Sequence, residues 1–94
     1  MMSSVVEPLG REEARRLIRE CVDNGWVIFT SHSMERMQKR GIDEADVRFV
    51  LARGVVDPAE FENGSWRYPV RAIGHQVTVA FRSERTIVVT VWKI

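Results

Sequence analysis

The chain has 94 residues, 45% of them hydrophobic, and 14 Lys+Arg against 13 Asp+Glu give it a formal net charge of +1. That length allows one small domain with a modest core and leaves no room for a multidomain enzyme. No apolar run approaches the ~20 residues that span a bilayer, and no basic-then-apolar order marks a secretory signal, so a cytoplasmic single domain over residues 1–94 is expected.

The single cysteine, Cys21, excludes an internal disulfide and a cysteine-rich zinc site. Its place on an apolar stripe predicts a buried, reduced thiol. Charge is divided unevenly: residues 1–63 hold nine Lys+Arg and twelve Asp+Glu (−3), and residues 64–94 hold five and one (+4). A basic excess on one part of a nearly neutral chain points to a local anion site or to solvated surface charge, and not to indiscriminate polyanion binding.

Residues 1–9 carry no periodic pattern and read as a loose lead-in. From Arg11 to Val22, Ala14, Leu17, Ile18, Cys21 and Val22 recur at helical spacing, and Asp23-Asn24-Gly25 stops the helix. Trp26 to Thr30 is a short β-branched and aromatic strand. Ser31 is placed to cap a second helix that ends at Gly41, with Lys39 and Arg40 suiting its negative end. Asp43 caps a third helix, Glu44 to Arg53, with Val47, Val50 and Leu51 buried and Gly54 as its stop.

From Val55 onward the chain reads as strand. Asn63-Gly64 is the preferred dipeptide of a two-residue type I′ turn, which sets Glu62 opposite Ser65 and Phe61 opposite Trp66. Trp66, Tyr68 and Val70 then share one face, with Arg67 and Arg71 on the other. Pro69 cannot donate to a ladder, so an edge or a bulge is expected there. Gln76–Phe81 and Thr86–Trp92 follow, the last apolar on both faces as a central strand is. The fold class is α+β: an N-terminal helix, a short strand, two short helices and an antiparallel sheet of about four strands, with helices on one face and a shallow groove on the other. Trp26, Trp66, Tyr68 and Trp92 are expected in the core.

The most informative stretch is Thr30 to Ile42. His32, Arg36 and Arg40 recur every fourth residue and form one polar ridge, while Met34 and Met37 look like the buried stripe. A titratable base beside permanent cations suits a phosphodiester. RNA cleavage without a metal needs a group to take the 2′-OH proton, cations for the transition-state charge and an acid for the leaving oxygen. His32, Arg36, Arg40, Arg67, Tyr68, Arg71 and Lys93 supply those types. The same arginines can also be read as surface ion pairs with Glu35, Asp43 or Glu44. His32 and His75 lack carboxylates at ligand spacing, so no metal is expected, and with no phosphate-cradling glycine loop no cofactor is implied.

The run His32-x-x-x-Arg36-Met37-x-x-Arg40-Gly41-Ile42, followed by Glu44-Ala45-Asp46-Val47 and Trp66-Arg67-Tyr68, resembles domain-of-unknown-function family 4258 from about Leu17 to Trp92. The element order and the ending Ile87 to Lys93 are similar to the small RelE-type and MqsR-type toxins of bacterial toxin–antitoxin pairs. That likeness implies a metal-independent endoribonuclease held by an antitoxin partner, with Arg67 and Lys93 at its polar active-site positions. Phe61 and Glu62 depart from the lysines or glutamine such a hairpin would offer, so His32 would have to contribute.

The expected function is therefore a toxin-like endoribonuclease: His32, Arg36, Arg67, Tyr68 and Lys93 act on the phosphodiester, and Lys39, Arg40 and Arg71 hold the RNA. The alternative is a non-catalytic RNA- or protein-binding module on the same fold. No membrane partner is expected, and oligomeric state is left open.

Overall fold

The computed structural model describes residues 6–83 and 85–93, so the first five residues of the lead-in lie outside the described part. Three helices, α1 (Arg11–Asp23), α2 (Ser31–Arg40) and α3 (Glu44–Arg53), are combined with six strands. These are β1 (Val27–Phe29), β2 (Val55–Val56), β3 (Glu60–Glu62), β4 (Ser65–Ala72), β5 (His75–Arg82) and β6 (Arg85–Lys93). The α+β class holds, with two more strands than the four expected of the meander, because β1 joins the same sheet and the stretch after α3 divides into β2 and β3.

Local chemistry explains most boundaries. The α3 N-terminus is a full capping box, in which Asp43 accepts from the Asp46 amide and Asp46 accepts from the Asp43 amide. At α2 the cap is Thr30 and not Ser31: the Thr30 hydroxyl accepts from the Ser33 amide, and Gly41 closes the other end in the left-handed conformation. Moving the cap back one residue makes Ser33 and Met37, four apart, the buried stripe, and Met34 is left 49% exposed. Trp26, expected in the core, is also on the surface, because strand alternation sets it with the exposed Ile28 on the face opposite the buried Val27.

The sheet order is β1-β6-β5-β4-β2, with β3 also on β4. All pairings are antiparallel except β1 with β6. The Asn63-Gly64 turn sets Glu62 opposite Ser65 and Phe61 opposite Trp66, as its type I′ chemistry requires, and the two rings meet edge-on with centroids 5.2 Å apart. Pro69 marks neither an edge nor a bulge in β4. It sits where the outer neighbour changes from β3, paired through Arg67, to β2, paired from Val70, so its missing N–H leaves no ladder bond unmade. The register shift is instead between Thr78 and Val79, where Thr78 faces Thr90 and Val79 faces Val88, leaving Val89 as the extra residue of β6.

Helices α1 and α3 pack on the sheet face that carries Val70, Val77, Val79, Val88 and Val91, all fully buried with Ala14, Ile18, Cys21, Val47, Val50 and Leu51. Alternation sends Arg67 and Arg71 to the opposite face. Helix α2 is placed differently: it packs chiefly against β6, along the edge that β1 leaves uncovered after Phe29 pairs with Val88. The Thr30 hydroxyl donates to the Val88 carbonyl and Arg40 Nη1 to the Val91 carbonyl, at 3.3 and 3.1 Å. A helix thus closes a strand edge whose carbonyls would otherwise face solvent.

Candidate nucleic-acid interface

On α2 the side chains of His32, Arg36, Lys39 and Arg40 follow i, i+4, i+7 and i+8 spacing and occupy one flank, beside the Ser33–Met37 stripe. His32 and Lys39 are exposed, and Arg36 and Arg40 are half-buried. Arg36 donates from Nε to His32 Nε2 at 2.8 Å, a bond that sets the ring tautomer with hydrogen on Nδ1 and orients the guanidinium. Arg40 reaches back along the helix, in the direction side chains tilt, to the Val91 carbonyl. The flank therefore runs along the outer edge of β6.

The sheet residues expected to join it are distributed elsewhere. Arg67 and Arg71 stand on β4, two strands from β6, roughly 10 Å at ordinary strand spacing, and four residues apart on the same strand. Arg67 lies along Ser65, 3.4 Å from its hydroxyl, and within 3.8 Å of Glu62. Arg71 forms a two-pronged ion pair with Asp57 at 2.7 and 3.0 Å. That pair holds the Asp57 carboxyl below its usual range, chiefly through the hydrogen bond from Arg71.

Tyr68 is on the helix-covered face and is fully buried. Its hydroxyl donates to Glu7 Oε2 at 2.9 Å and accepts the Leu9 amide at 3.0 Å. Burial is the main cause that pushes this phenol up to about 12. The same two bonds pin residues 7–9, part of the lead-in whose sequence reads as loose, to the sheet. Lys93 ends β6 opposite His75, so its backbone follows the strand that α2 flanks, and its side chain, like that of Trp92, lies outside the described residues.

Three carboxylate partners escape the sequence pattern in whole or in part. Glu7, Asp57 and Glu62 engage Tyr68, Arg71 and Arg67, and only Glu62, across the Asn63-Gly64 turn, has a readable position. Among the described residues no group of three or more His, Cys, Asp or Glu is placed to hold a metal ion, and no helix is long and apolar enough to cross a membrane.

The α2 flank and the strands beside it fall within one recognised family segment. A family model described as a domain of unknown function (DUF4258) matches residues 29–93. The chain belongs to this family. The DUF4258 segment takes in α2, α3 and the sheet from Phe29 onward and leaves α1 outside it. No curated protein and no solved structure matches the chain.

Proposed function

We propose that this chain binds the phosphate backbone of RNA along the α2 flank of His32, Arg36, Lys39 and Arg40. The observation that carries the reading is the clustering of those four groups on one flank of α2. Guanidiniums and an ammonium at helical spacing match successive phosphates by charge and need no base readout. The neutral imidazole adds a hydrogen-bond donor at Nδ1. Such binding is electrostatic, and its affinity falls steeply with salt.

Fluorescence anisotropy of a labelled single-stranded RNA across a salt series tests this. The Arg36→Ala, Lys39→Ala double variant is expected to weaken binding at least about tenfold and to flatten the log–log salt slope by about 1.4 for two lost contacts. An unchanged slope, or no salt-sensitive binding by the wild-type chain, rejects the reading.

A second reading is favoured by the His32–Arg36 pair itself. A proton acceptor beside a guanidinium supplies two of the three parts that cleavage of RNA without a metal needs, as in a toxin of a toxin–antitoxin pair, with an antitoxin protein covering this flank. In this form His32 takes the 2′-OH proton when Arg36 turns from Nε2 to a phosphate oxygen, the 2′ oxygen bonds to phosphorus as the 5′ oxygen leaves, and the protonated imidazole or water returns the proton to that 5′ oxygen. RNA integrity after incubation with the wild type, His32→Ala and Arg67→Ala separates the two readings. Cleavage lost on His32→Ala supports the nuclease, and intact RNA under saturating wild-type protein leaves the binding module alone.

A further inference from the structure

At the opposite end of the sheet from the α2 flank, a cleft of about 280 Å³ opens between α1, the end of α3 and β2, lined by Arg11, Glu12, Arg15, Arg53, Gly54 and the β2 valines. We propose that this cleft is a second, separate anion site that takes a phosphate group, with Arg15 and Arg53 as its principal ligands and Arg11 at its rim.

In α1, Arg11, Arg15 and Arg19 recur every fourth residue and form a ridge. Arg19 is engaged structurally, since its Nε donates to the Ala52 carbonyl at 3.0 Å and satisfies the last turn of α3. Arg15, one turn earlier, makes no hydrogen bond or ion pair among the described residues, although it points into the same cleft as Arg53. Arg53 lies over the Phe49 ring at 5.8 Å, which steadies its guanidinium from one side and leaves its donor edge for another group. Arg11 contributes charge, felt as far as Asp57, whose carboxyl it helps to hold low.

Gly54 lines the cleft where α3 passes into β2. Three guanidiniums against one carboxylate, Glu12, leave an excess of positive charge in a concave space large enough for a phosphate. Planar forks of this kind bind phosphate through paired N–H donors. The source can be free phosphate, a nucleotide or an RNA backbone, which share that chemistry.

Isothermal titration of the full chain with inorganic phosphate, pyrophosphate and a short single-stranded RNA tests the site. Wild type should bind pyrophosphate more tightly than phosphate, with affinity falling as salt rises. Arg15→Ala with Arg53→Ala should lower pyrophosphate affinity at least about tenfold without changing the melting temperature, and Arg15→Lys should retain part of it. Arg82→Ala, at the end of β5 and outside both basic surfaces, should leave pyrophosphate binding unchanged. The site is rejected by absence of phosphate and pyrophosphate binding in wild type, or by equal affinity in the double variant. RNA binding that survives the double variant and fails in Arg36→Ala assigns the cleft to small phosphates, and the reverse assigns it to RNA.

Discussion

Nε of Arg36 lies 2.8 Å from Nε2 of His32, one helical turn behind it, and the two side chains act as a unit on the exposed flank of α2. Because the guanidinium donates, the Nε2 lone pair is occupied and the ring hydrogen is on Nδ1. Nitrogen-detected NMR of neutral His32 is expected to show the Nδ1–H tautomer as dominant. In Arg36→Ala the ordinary preference for Nε2–H should return. A dominant Nε2–H form in the wild type contradicts the pairing.

Arg40 has a structural role in addition to its place on the flank. Its guanidinium donates to the Val91 carbonyl on the β6 edge, and the residue is half-buried. Arg40→Ala should destabilise by about 1–2 kcal/mol through the lost bond and the orphaned carbonyl, seen as a lower urea midpoint with an unchanged slope. Arg40→Ala with wild-type stability would show that the contact is incidental.

How far the chain can be read from its sequence depends on the range of the interaction. The Asn63-Gly64 hairpin is legible because φ of +51° and +83° at those two positions is a local demand that Asn and Gly meet. The Asp43 cap is legible for the same reason. Thr30 and Ser31 both have a capping hydroxyl, and only the strand before them decides that Thr30 faces the helix and Val88 together. Met34 and Trp26 are misplaced by pattern alone because hydrophobicity ranks side chains and does not say which edge of a sheet a helix will seal. The ridge itself follows from period four. Its separation from Arg67 and Arg71 does not, since strand order is set by pairings such as β1 with β6 across nearly sixty residues. The Glu7 contact to Tyr68, 61 residues away, is of the same non-local kind.

Gly54 is required by crowding and not by backbone conformation, since its φ of −77° is open to any residue. A Cβ would stand 2.5 Å from the Val50 carbonyl oxygen, 2.7 Å from Val70 Cγ1 and 2.8 Å from the Arg71 carbonyl oxygen. Two of those three neighbours are backbone, so relief means moving α3 away from β4. Gly54→Ala is expected to destabilise by about 1–3 kcal/mol, opposite in sign to the gain Ala gives at an unconstrained glycine. Chemical denaturation beside Gly10→Ala, where nothing lies within 4 Å, separates crowding from chain entropy.

Tyr68 links the N-terminal segment to the core, and its ionisation reports that link. The chain has one tyrosine, so tyrosinate absorbance follows this residue alone. Burial first, and then the carboxylate of Glu7, raise its midpoint from the ordinary 10.0 to about 12. In the unfolded chain the proton leaves near 10, so between those values the folded state holds a proton that the unfolded state has lost. Stability is then fully present below pH 10 and falls as pH rises through that window, by about 1.4 kcal/mol per unit at most. Glu7→Gln should bring the midpoint down only part of the way, because burial is the larger cause. Tyr68→Phe should abolish the steep alkaline loss and lower stability at neutral pH by about 1–2 kcal/mol, since the Leu9 amide is left without its acceptor. A wild-type midpoint near 10 would mean that the phenol is open to solvent and that residues 7–9 are not docked on β4.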